Sequence, residues 1–166
     1  MPTYRRSILN QAQSDRRPHA RLEPGDYEAL AHFRYLLRKF LRFSKDFLSA
    51  KSHLSPEQYE ALLAIKVFAS SGGLNISQLS ERLQVRHHSA VNIVDRLVER
   101  KLITREAVRS DRRRRFLELT PQGDKLIEEL ACAHRQEIRG RSGQLIEALE
   151  RLRKQSHAGR ARTGSA

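Results

Sequence analysis

Over residues 76–119 the apolar pattern passes from helical spacing to strict alternation, and no other feature of the chain constrains its fold as tightly. Ile76, Leu79 and Leu83 sit one turn apart, with Ser77 as the expected N-cap of a short helix. After Gln84-Val85 a second helix is expected from about His87 to Arg100, with Val91, Val94, Leu97 and Val98 inward. The period then falls to two. Leu102–Val108 and Arg115–Leu119 read as strands, the second alternating Arg115, Leu117 and Leu119 with Phe116 and Glu118. The arginine run between them is expected to form the turn. Two short helices joined by a tight turn, ahead of a strand pair, make a helix-turn-helix pattern.

Helical patterns flank this core on both sides. Leu30, Phe33, Leu36, Leu37, Phe40, Leu41, Phe43, Phe47 and Leu48 give a long amphipathic helix with a broad apolar stripe. Ser55-Pro56-Glu57-Gln58 supplies a cap, a proline at the first helical position and a capping-box glutamine, opening a helix that should stop before Ser70-Ser71-Gly72-Gly73. Thr120-Pro121 starts another helix toward Gly140, and Ser142 or Gly143 is expected to open a last one through Leu145, Ile146, Leu149 and Leu152. The 166 residues suffice for one core. The expected organisation is a basic arm over 1–25, a single domain over 26–153 and a basic tail over 154–166.

The chain carries a net charge of +13, which favours a polyanionic partner. The tails hold part of this charge. Residues 104–116 hold six arginines against Glu106 and Asp111, and patterned sequence on both sides keeps that segment in place. Like charges crowded on a hairpin repel, so an external anion is the natural counterpart, and a narrow minor groove concentrates negative potential. The single cysteine, Cys132, excludes a disulfide scaffold, suits a reducing cytoplasm and is expected to be a small buried hydrophobe. The longest run without Lys, Arg, Asp or Glu, Val67–Ser80, contains Ser, Gly, Asn and Gln, so no membrane span is expected.

Taken together, these residues resemble the MarR family of winged helix-turn-helix regulators, from about Asp26 to Leu152. The resemblance is carried by Leu54-Ser55-Pro56-Glu57-Gln58-Tyr59, by Ile76–Leu83, by Ser89 and Val91, and by Val94-Asp95-Arg96-Leu97-Val98-Glu99-Arg100. It continues in Asp111-x-Arg113, then Leu119-Thr120 and Gly123. Lys101 stands where the family usually has glycine, His87-His88 where small or polar residues and proline are more frequent, and Asn92 where many members carry arginine.

The resemblance implies a mainly α fold with a small β-wing, in which dimerisation helices (26–53 and 121–153) flank a DNA-binding lobe (55–120). It implies a homodimeric repressor on a pseudo-palindromic operator. A helix fits the major groove, and here it would present Arg86, His87, His88, Ser89, Asn92 and Arg96. Asn92 can read adenine, a His or Arg can donate to guanine, and Ser89 suits a phosphate. By resemblance Arg113 enters the minor groove, Asp111 orients it, and Arg112 and Arg114 flank it on phosphates. Family members respond to small phenolic or lipophilic acids, for which His32, Tyr35, Arg38, Phe40, Phe43 and Phe47 are the candidate lining; ordinary packing is the competing role for the three phenylalanines. For Arg96 the competing role is an ion pair with Asp95, Glu99 or Glu106.

Three other classes compete. No histidine has a nucleophile and orienting acid at a motif spacing, and no glycine loop cradles phosphate, so no catalytic residue and no cofactor is expected. A metal-responsive regulator is the second rival, but adjacent His87 and His88 point about 100° apart on a helix and chelate poorly together. The third is an architectural protein that coats DNA without reading sequence.

Overall fold

Residues 22–108 and 111–158 are described by the computed structural model, without the side chains at 71, 107, 108, 111–115 and 154–158. Most of the expected arm, and the tail past residue 158, lie outside these residues. In chain order the elements are α1 (Pro24–Ser52), α2 (Pro56–Phe68), a 3₁₀ turn (Ala69–Ser71), α3 (Ile76–Arg82), α4 (His87–Glu99), β1 (Ile103–Val108), β2 (Asp111–Leu119) and α5 (Pro121–Ala158). The chain is mainly α with a two-stranded β-wing, as the pattern implied. No described helix is long and apolar enough to cross a membrane.

Arg38–Arg141 form one compact unit; the outer parts of α1 and α5, up to Leu37 and from Ser142, form another. In the first unit Leu48, Leu62, Ile65, Leu79, Val94, Leu97, Leu102, Leu117, Ile127 and Leu130 make a continuous core. Arg82 lies over the Phe68 ring at 3.7 Å, tying α3 to α2 through a cation–π contact. Lys66 pairs with Asp124, tying α2 to α5. In the second unit Ala29, Leu36 and Ala148 are buried, while Tyr27, Leu30, Tyr35, Leu37, Ile146 and Leu149 remain exposed.

The helix ends follow from local chemistry. Ser55 and Gln58 form the expected capping box at α2. At α3 the cap is Asn75 rather than Ser77. The Asn75 side chain accepts from the Gln78 amide at 2.9 Å and the Gln78 side chain accepts from the Asn75 amide at 3.0 Å, so the helix begins one residue before Ser77. Helix α4 ends in a Schellman motif: the Lys101 amide donates to the Val98 carbonyl (2.8 Å) and the Leu102 amide to the Leu97 carbonyl (3.0 Å). This places Lys101 at φ 57°, the left-handed position where glycine is usual, at a cost on the order of 1 kcal/mol. Gln84 takes the same role after α3 at φ 53°.

Two further expectations are corrected. The arginine run is not simply the turn: Asp111–Arg115 belong to β2, which pairs antiparallel with β1 through Ala107↔Arg115 and Val108↔Asp111, with a bulge at Ala107/Val108. Leu74 adds a bridge to Leu117 on the other edge of β2. Nor is there a break near Gly140 or Gly143, because α5 is a single helix through both. An interior glycine weakens a helix without ending it, and the Glu137–Arg141 pair spans Gly140. A Cβ at Gly140 would meet nothing within 4 Å. Gly140→Ala is therefore expected to stabilise the chain by about 1 kcal/mol, read as a higher urea midpoint; a lower one would show that the glycine is needed.

Candidate nucleic-acid interface

Helix α4 divides cleanly. Ala90, Val94 and Leu97 are fully buried, at spacings of four and three, so the opposite face is fixed toward solvent. That face presents Arg86, His87, His88, Asn92 and Arg96, all exposed, with Ser89 half-buried beside them. Arg86 caps the helix without a side-chain hydrogen bond. Ser89 and Ala90 donate their amides to its carbonyl. The six candidate residues expected from the sequence thus lie on one helix and its N-cap.

Arg96 forms no ion pair with a described acid, because Asp95 is taken by another arginine. Arg105 of β1 donates to the Asp95 carboxylate, and its Nε is buried with no hydrogen-bond partner among the described residues. One member of the arginine run therefore turns back onto α4 and fastens the wing to it. The side chains of Asp111, Arg112, Arg113 and Arg114 lie outside the described residues; their backbone forms the start of β2.

The base of the wing is also tied to α4. Thr120 Oγ1 donates to the Lys101 carbonyl at 2.7 Å and accepts from the Gly123 amide at 3.0 Å, while the Thr120 amide donates to the Leu102 carbonyl at 3.0 Å. One threonine thus caps α5 and holds the turn that closes α4. The sequence signature Leu119-Thr120 with Gly123 has a mechanical meaning here.

The candidate ligand residues separate. His32, Tyr35 and Arg38 are exposed, the first two in the outer unit. Phe40, Phe43 and Phe47 are half-buried and converge on a residue that the sequence did not single out, His134 of α5. Its ring stacks on Tyr59 (centroids 4.4 Å apart, 17°) and meets the three phenylalanines edge-on at 6.2, 6.0 and 5.6 Å. Nδ1 donates to the Leu130 carbonyl at 2.8 Å, and Nε2 is hydrogen-bonded to the Ser44 hydroxyl at 2.9 Å. Burial pushes the Tyr59 phenol above its ordinary range. The available signal was positional: His134 continues the inward stripe of Ile127 and Leu130. Ser44→Ala leaves the buried Nε2 unsatisfied and is expected to destabilise the chain by about 1–2 kcal/mol in chemical denaturation; an unchanged midpoint would mean that this hydrogen bond contributes nothing net.

Cys132 is exposed rather than buried, in an open cleft with Leu63, Lys66 and Arg135. It occupies the outer face of α5, while Leu130 and His134 take the inner one. Among the described residues, no group of three or more His, Cys, Asp or Glu could hold a metal ion.

Comparison with known proteins finds relatives of this arrangement. The MarR family profile matches residues 53–114, from just after α1 into the first half of β2. The transcriptional repressor MdtR of Bacillus subtilis is 34% identical over 85 residues, which are 51% of this chain and 53% of MdtR. Over these residues the chain is similar to the MarR family. It spans only 53% to 60% of the length of the curated relatives it matches. Among solved MarR-type structures, YusO of Bacillus subtilis is 26% identical with a TM-score of 0.56, covering 81% of this chain and 94% of YusO. MepR of Staphylococcus aureus is 23% identical with a TM-score of 0.59, covering 76% of this chain and 91% of MepR, and shows the shared winged-helix fold.

Proposed function

We propose that this chain is a MarR-type, sequence-specific, DNA-binding transcriptional regulator, a repressor, working as a homodimer on a pseudo-palindromic operator. The observation that carries the reading is the face of α4. Arg86, His87, His88, Asn92 and Arg96 stand exposed and without a described side-chain partner, on a helix capped and buried firmly enough to hold them in register. Unspent donors on a rigid helix are what base-edge recognition requires. In this reading Asn92 pairs with adenine, a histidine or arginine donates to guanine, and Ser89 contacts phosphate. The wing, held to α4 by Arg105, carries Arg113 to the minor groove with Asp111 orienting it and Arg112 and Arg114 on phosphates.

The dimer rests on the exposed apolar residues of α1 and α5. Tyr27, Leu30, Leu37, Leu41, Ile146 and Leu149 are 39–61% exposed, apolar side chains that a second copy would cover. A two-fold pair would set two α4 helices in successive major grooves about 10 bp apart. Among relatives of like fold, a MepR variant has been seen on an oligodeoxyribonucleotide and MepR with ethidium, and DNA binding by BpsR of Bordetella bronchiseptica is regulated by 6-hydroxynicotinic acid. A small aromatic or lipophilic effector is part of the proposal on that footing, with Phe40, Phe43 and Phe47 as its nearest lining. Such a protein would act in the cytoplasm.

Selection of bound fragments from random duplex DNA tests the reading. The expected product is a half-site repeated in inverted orientation. Recovery of unrelated sequences would instead favour an architectural protein that binds through charge alone.

A further inference from the structure

The last carbonyls of a helix lack intrahelical partners and carry the negative end of its dipole. At the end of α1 they find an arginine from far along the chain. Arg100, the residue that caps α4, donates from one terminal nitrogen to the Ser52 carbonyl at 2.7 Å and from the other to the His53 carbonyl at 3.2 Å. The α1 end is shaped to receive it. His53 is left-handed at φ 53° with its amide on the Ser49 carbonyl, and the Ser52 hydroxyl occupies the Leu48 carbonyl, leaving those of Ser52 and His53 to face α4.

We propose that Arg100 is a positioning residue for DNA recognition, fixing the angle between the reading helix α4 and the dimerisation helix α1 and thereby the spacing at which two half-sites are read. The inference rests on the two-fold reading given under Proposed function. Leu48 of α1 and Leu97 of α4 belong to the same apolar core, but apolar packing is non-directional and tolerates small rotations. A planar guanidinium with both terminal nitrogens engaged does not. It grips backbone rather than a side chain, so the constraint passes directly to the axis of α1. Sitting at the last turn of α4, Arg100 leaves the first turns, and with them the base contacts, untouched.

The test compares the wild type with Arg100→Met, which keeps the stem and removes the fork, by selection from random duplex DNA. Thermal melts run alongside, and Arg100→Lys serves as a second, milder variant. The wild type is expected to select one half-site spacing and to bind a duplex with one inserted base pair about tenfold more weakly or worse, since the insertion turns one half-site by about a tenth of a helical turn. Arg100→Met is expected to select the same half-site with a broadened spacing, and to bind the inserted and original duplexes within about threefold of each other. Arg100→Lys, which keeps a donor without the fork, should fall between them. A variant that retains the sharp spacing, whatever its affinity, overturns the proposal. A wild type that selects no two-fold site overturns the dimeric reading and this inference with it.

Discussion

Gly123→Ala should lower stability by about 3 kcal/mol or more, which for a chain of this size is a fall in thermal midpoint of roughly 6–12 °C. A Cβ at Gly123 would stand 1.9 Å from the Leu102 carbonyl oxygen and 2.8 Å from its carbon. Neither atom is a flexible side-chain end that can swing aside. The Leu102 oxygen already accepts the Thr120 amide, and the Leu102 amide closes the Schellman turn of α4 onto Leu97. Whatever moves to admit a methyl group therefore moves the end of α4 or the start of α5. Melting by circular dichroism checks this, with Gly143→Ala as the control, because there a Cβ meets nothing within 4 Å. Equal midpoints for the two variants would show that the close approach is not a real constraint.

The second large effect concerns DNA. Arg113→Ala is expected to weaken binding to operator and to random duplex alike, by about tenfold, and to reduce the salt slope by about one. Asn92→Ala is expected to cost about 1–3 kcal/mol on the operator and little on random DNA. The contrast follows from where the residues sit: Asn92 on an exposed helix face, Arg113 on the wing strand. Titrations on both duplexes at several salt concentrations read the difference. If both substitutions act equally on random DNA, base reading by α4 is wrong.

Much of this architecture was legible because local rules and tertiary packing agree. The stripe Val94, Leu97, Val98 fixed the inner face of α4, and the box at Ser55 and Gln58 fixed the start of α2. The departures have particular causes. Asn75 and Ser77 both make good caps, and only the completed pair with Gln78 decides between them. Arginines rarely mark strands, so the first half of β2 read as a turn until its pairing with β1 was visible. Gly140 read as a stop although an interior glycine only weakens a helix. The long-range links were hidden for another reason. The Arg100 fork reaches back 47 and 48 residues to backbone carbonyls, and the His134 ring reaches across to Ser44 and Tyr59, so no spacing in the sequence records either. Arg105 and Asp95 are a mixed case: both were visible as charges, but the strand that brings them together was needed to pair them.

The central claim is that exposed groups on α4 read base sequence while the wing supplies the hold. Competition between the selected operator and random duplex of equal length, at near-physiological salt, tests it most directly. The account predicts a preference for the operator on the order of 10³ or more. Near-equal affinities with a steep salt dependence would contradict it.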